Sequence, residues 1–244
     1  MKTLLTTALT LGFATSTMAL TLTSPTIKNH GLFPYKYGYC QPNGKGEVKL
    51  SDDISPPLSW YGAPKGTKSY AVVLRDPVSA TSSHFNQVGY TLAPNSPRAA
   101  IYHWVVVNIP VMQNHLPEGA GSKGFVAGGK KPGQTAYGLM GINIYTEAFS
   151  SPYASRITFK PYTVKQMHGV YGKYDGPCAP WNDELIHHYQ FTVYALNVAK
   201  LKLPSNGHFT GSQAMKAMKG HILAKAHLSA SFITNPKLIV KPQQ

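Results

Sequence analysis

SYAVVLRDP at residues 69–77 and YHWVVVNIP at residues 102–110 decide the fold. Both runs are short, rich in β-branched and aromatic residues and closed by a proline, which is the composition of strands. YQFTVYAL at 189–196 reads the same way, and LSASFI at 228–233 is a weaker fourth. Pro77 donates no hydrogen bond, so the first strand is expected to end at Asp76. If the first two strands are antiparallel neighbours, Asp76 and His103 share one edge of the sheet. Alternation puts His103 on the face of Val105 and Val107, opposite Trp104.

Outward from these strands, residues 211–226 carry the one convincing helical pattern. Met215, Met218, Ile222 and Ala226 fall on one face and Lys216 and Lys219 lie off it. Methionine fills gaps in cores, so this stripe is expected to face inward. Residues 78–100 and 126–173 look like insertions between core segments, and a loop longer than about 15 residues usually has a function. Within the second, 142–145 and 156–159 read as short strands. Nineteen prolines and 22 glycines favour turns over long helices, so the class is mainly β.

The N-terminus has a compartment signature. Lys2, the apolar stretch 4–14 and the small residues of Thr17-Met18-Ala19 make the three-part layout of a secretory signal. Residues 1–19 are therefore expected to be removed, leaving 20–244 as one exported domain, periplasmic or secreted. Lys and Arg number 23 against 9 acidic residues, a formal charge of +14 that favours anionic surfaces. The positive charges are scattered, with Lys130-Lys131 the only doublet, which argues against nucleic acid as partner. Cys40 and Cys178 are an even pair outside any CxxC motif, and in an oxidising compartment they suggest one disulfide.

A second group of candidates lies near the C-terminus. Gly176-Pro177-Cys178-Ala179-Pro180 must be a rigid irregular loop, because proline fixes φ. In the strand after it, His187, Tyr189, Phe191 and Val193 point one way and His188, Gln190 and Thr192 the other. A single histidine is usually a satisfied core residue; an Asp, two His and a Tyr converging point to a site.

Six segments in order carry a resemblance. They are Ser55-Pro56-Pro57-Leu58-Ser59-Trp60, Pro64-Lys65-Gly66-Thr67-Lys68-Ser69-Tyr70, Asp76-Pro77, His103-Trp104 through Pro110, Gly176 through Pro180, and His187-His188-Tyr189. Together they resemble the phosphatidylethanolamine-binding protein family, in its bacterial Raf kinase inhibitor-like branch. The resemblance implies a β-sandwich on a large central antiparallel sheet with a C-terminal helix. It also implies a pocket for phosphate or a phospholipid head group, lined here by Asp76, His103, Ala179, Pro180, His187 and Tyr189. Within that pocket Asp76 is expected to orient a histidine rather than touch the anion. The cysteine pair also resembles one found in bacterial members. Two departures stand out: Val78 replaces the second acidic residue of the family's DPDAP segment, and His188 replaces an arginine.

Rival readings remain beside the binder. A hydrolase would use Asp76 to orient His103, but no serine sits in a GxSxG elbow and no HExxH metal motif occurs. Residues 124–131 nearly match a phosphate loop, with Lys131 where Ser or Thr is needed and Pro132-Gly133 where a helix should start. The expected protein is therefore non-catalytic and without cofactor or metal. Peripheral membrane contact and an inhibitor-like protein partner acting through the insertions are the further alternatives.

Overall fold

In the computed structural model, which describes residues 19–239, the β-branched run from residue 69 forms the middle of a large sheet. The secretory signal expected over 1–19 lies, apart from Ala19, outside the described residues. The strands are β1 (Thr21–Thr23), β2 (Gly31–Leu32), β3 (Cys40–Pro42), β4 (Val48–Leu50), β5 (Leu58–Tyr61) and β6 (Ser69–Ala80). They continue with β7 (Arg98–Pro110), β8 (His115–Leu116), β9 (Gly133–Thr135), β10 (Gly138–Met140), β11 (His187–Leu196) and β12 (Ile222–Phe232). Helices α1 (Tyr145–Ser150), α2 (Val164–Met167) and α3 (Gly211–Met218) are short.

Seven strands make the main sheet in the order β2-β12-β11-β6-β7-β10-β9, and β1-β5-β8 form a small second sheet. All main-sheet pairs are antiparallel except β12 with β2, so the expected antiparallel sheet is mixed at one edge. Alternation gives the sheet two apolar faces. Tyr70, Val72, Leu74, Trp104, Phe191 and Val193 pack with Leu22, Leu58 and Trp60 of the small sheet, which makes the sandwich. On the other face Ala71, Val73, Val105 and Val107 pack with Phe209, Ala214 and Met218 around α3.

The helix expected over 211–226 is shorter than its pattern. Thr210 and Gln213 close a capping box at its start. It ends at Met218, and Gly220, at φ 83°, turns the chain into β12. Ile222 and Ala226 therefore sit on a strand, where pairing with β11 outweighs their helical spacing.

Pro77 does not end β6. The register slips between Asp76 and Ser79, where β7 advances only from Ile101 to Ala99, so Pro77 and Val78 occupy a bulge that requires no ladder donor. The two strands thus run on through residues 78–80 and 98–100. The second insertion contains the β9–β10 hairpin, α1, a 3-10 turn at Ala154–Ile157 and α2. The strands expected at 142–145 and 156–159 are absent among the described residues. Ile142 makes one isolated bridge to Gly172, and Tyr145 and Phe149 turn helical to bury their rings beside Tyr39 and Tyr171. This aromatic cluster is a third core.

Cys40 and Cys178 form a disulfide across a separation of 138 residues. It ties β3 to the Gly/Pro loop, reinforced by Tyr39 N–H donating to Pro177 O at 2.9 Å. Closing so long a loop restricts the unfolded chain, so the C40A/C178A variant should lose about 2–5 kcal/mol of unfolding free energy. Guanidinium titration of the two proteins checks this; equal midpoints would show that the bridge contributes nothing.

Candidate functional site

Asp76, His103, His187 and Tyr189 meet at one end of the main sheet, each almost wholly buried. Tyr189 follows His187 on the same face of β11, as alternation requires, while His188 is exposed and bonds Ser231 Oγ at 2.9 Å. His103 departs from alternation. Leu74 pairs with Trp104 and Arg75 with Tyr102, leaving His103 as the extra residue of a bulge. The bulge rotates its ring away from Val105 and Val107 to the Tyr189 side, 5.2 Å from that ring and 5.6 Å from Tyr145.

His187 is the centre of a chain of alternating charges. Its Nδ1 contacts Asp76 Oδ2 at 2.5 Å and its Nε2 contacts Asp183 Oδ2 at 3.1 Å. Asp183 in turn accepts both arms of the Arg98 guanidinium, at 2.5 and 2.9 Å. The second oxygen of Asp76 accepts Val78 N–H at 3.0 Å. The Val78 backbone thus holds Asp76, whatever its side chain. Burial opposes charge on His187, but hydrogen bonds to Asp183 and Asp76 outweigh it and lift its pKa to about 9. A protonated ring between two carboxylates has no free N–H.

His103 is the opposite case. Its Nδ1 lies 3.1 Å from the Asp175 carbonyl, which can only accept, so Nδ1 carries the hydrogen. Burial lowers its pKa against the pull of Asp76, so the ring is neutral near neutral pH. Its Nε2 is then a bare acceptor, buried and without a hydrogen-bond partner. The Tyr189 phenol is pushed up by burial and by Asp76, which keeps it a donor.

Ala179 and Pro180 stand slightly apart. They line a shallow cleft with Asp183, Leu185, Phe232 and Thr234 that is too tight to admit a water molecule. The Ala179 carbonyl is occupied by Thr234 Oγ1 at 2.7 Å.

A second buried network backs the first. Lys130 Nζ contacts Asp53 Oδ2 and Asp175 Oδ1, both at 2.6 Å. Asn143 Nδ2 donates to Asp175 Oδ2 at 2.7 Å and Gly176 N–H to Asp53 Oδ1 at 2.7 Å. Burial and the Asp175 charge push the Asp53 pKa up. Lys130 is thus committed to two carboxylates, and Gly133 opens β9 where a phosphate loop would open a helix. Gly129 is there for close approach: a Cβ would lie 2.5 Å from Val170 O.

Sequence reasoning missed Arg98, Asp183, Asp175, Asp53 and Lys130. Asp183 precedes His187 by four residues in WNDELIHHY, the one local signal that could have found it. The others are joined only by the fold.

The two networks predict different losses. The folded pKa of His187 exceeds its ordinary 6.5, so its contribution is complete below about pH 6.5 and is lost as pH rises through about 9. Unfolding free energy should decline over that window, and H187Q should flatten the decline; a parallel decline in H187Q would refute the assignment. K130M should cost about 3–5 kcal/mol by stranding two buried carboxylates, and adding D53N and D175N should restore most of it. Thermal melts of the three proteins decide the matter.

The geometry has relatives. The model of the family described as phosphatidylethanolamine-binding protein matches residues 23–233. The Escherichia coli K12 protein YbhB is 28% identical over 213 residues, covering 86% of this chain and 98% of YbhB. YbcL of the same organism is 29% identical over 182 residues, covering 75% of this chain and 70% of YbcL. The crystal structure of YbcL superposes with a TM-score of 0.58 at 23% identity, covering 89% of this chain and 100% of YbcL's. That of the phosphatidylethanolamine-binding protein homolog CT736 of Chlamydia trachomatis gives 0.56 at 24%, covering 89% and 99%. These two show the shared fold. With its family model spanning most of the chain, this protein belongs to the phosphatidylethanolamine-binding protein family.

Proposed function

We propose that the protein is an exported, non-catalytic binder of a small phosphate-type anion, free or as a phospholipid head group, held at His103. The single observation that carries this is the buried, unpartnered Nε2 of His103, beside the rings of Tyr189 and Tyr145. A buried polar atom left without a partner is costly, and its persistence at the meeting point of four candidate residues suggests a ligand supplies the missing bond. Because Nε2 is a bare acceptor, the anion must bring its own proton or His103 must gain one.

Two features favour binding over hydrolysis. Asp76 is taken by His187 and Val78, so it does not orient His103 as a catalytic pair would require. His187 keeps its proton up to about pH 9 and is a poor base at neutral pH. Export is supported by the N-terminal layout and the disulfide. A lipid source is favoured by the exterior: of nine acidic residues, Asp53, Asp76, Asp175 and Asp183 are buried, which leaves the surface strongly basic.

His103 is almost wholly buried, so a ligand reaches it only if the surrounding structure opens. Residues 81–97 are tied to the stretch just after the Gly/Pro loop, with Asn86 N–H and Leu92 N–H bonded to Asn182 and Trp181 N–H to Asn86. Titration with phosphate and phosphorylethanolamine should shift NMR signals of His103 and Tyr189, with proton uptake and tighter binding from about pH 8 to about pH 6. H103Q should weaken the affinity by about tenfold or more. Unchanged spectra at millimolar ligand would refute the pocket.

A further inference from the structure

A groove of about 520 Å³ opens beside Lys130, between the 119–126 turn and residues 135–137, with Lys173 as a further wall. Its size falls in the range of small-molecule sites, about 300–1,000 Å³. Lys123, Lys130, Lys173, Ser122, Phe125 and Tyr137 line it, and no acidic side chain does.

Two lysines without an ion pair among the described residues, Lys123 and Lys173, share this wall with Lys130, whose charge is met by Asp53 and Asp175. Lys130 spends two of its three ammonium hydrogens on these carboxylates, leaving one. Lys173 is also held at φ 66°, a left-handed conformation unusual for a side-chain-bearing residue. Its N–H donates to Gly141 O at 2.9 Å, which fixes that conformation beside the groove.

The turn itself offers no backbone cradle. Gly121 and Ser122 N–H donate to Ser55 Oγ at 2.8 and 3.2 Å, and Gly124 N–H to Ser122 Oγ at 3.2 Å. Recognition therefore falls on ammonium groups as point charges, beside the aromatic surface of Phe125 and Tyr137.

We infer that this groove is a second anion site that takes a phosphomonoester, its phosphate between Lys123 and Lys173 and its organic part against Phe125 and Tyr137. It shares no lining residue with the His103 pocket and goes beyond that reading.

The test uses three probes: inorganic phosphate, glycerol 3-phosphate, and phosphatidylcholine vesicles containing phosphatidic acid. Backbone signals of residues 122–125, 136–137 and 173 should shift with the soluble probes, or broaden on the vesicles. A response to the soluble probes marks a free phosphomonoester as the source, and a response to vesicles alone marks a membrane lipid. K123Q/K173Q should weaken that response by about tenfold or more, with an unchanged circular dichroism spectrum. H103Q should leave it intact, so failure of the His103 pocket would show as lost shifts at His103 and Tyr189 alone. No response to any probe at millimolar concentration, or an undiminished one in K123Q/K173Q, would overturn the inference.

Discussion

A charged ring held between two carboxylates organises one end of this molecule. His187 is inaccessible to water, and its proton stays because Asp76 and Asp183 both accept from it. Each carboxylate then needs a second partner, since an unpaired buried charge costs several kcal/mol. Asp76 finds it in the Val78 backbone, which fixes the bulge in β6. Asp183 finds it in Arg98, which fixes the start of β7 against the loop before β11. The sheet end, the bulge and the loop before β11 thus answer one electrostatic demand. Such networks add little net stability over apolar packing, while removal of one partner is costly.

The strands were legible because their signal is local. β-branched runs at 69–75, 102–109 and 189–196 have one good conformation, and the two-residue period placed His187 with Tyr189 correctly. The bulges were not legible, because a bulge belongs to a pair of strands and depends on how both are registered. That is why His103 was assigned to the wrong face. The end of α3 was hidden for a related reason: residues 222–226 keep a helical spacing, but β11 offers a full ladder of partners. Of the six site residues legible in the chain, Asp76, His103, His187 and Tyr189 meet, while Ala179 and Pro180 stand slightly apart. The partners Asp183 and Arg98 are brought to them by the fold, Arg98 from the first insertion and Asp183 from the loop before β11.

The second insertion is less separate than its composition suggests. It supplies Tyr145 and Phe149 to the cluster around Tyr39, and it sends Lys130 back to Asp53 and Asp175. Asp175 joins the two networks, its side chain meeting Lys130 and its carbonyl fixing the His103 tautomer. The disulfide holds the same stretch three residues later. Residues 175–187 are therefore pinned along their length, and the histidine chemistry inherits that rigidity.

The ends of the main sheet have a consequence for self-association. β2 is two residues long at one margin and β9 is three at the other, with Pro132 immediately before it. Long, flat margins present rows of unpaired N–H and C=O groups that invite strands from other copies into filaments. β2 itself offers little ladder, but it covers only Ala230 and Ser231 of the eleven-residue β12, so the rest of that strand is an open margin. Exposed Lys225 stands on that open stretch, where a charge discourages a foreign strand from pairing.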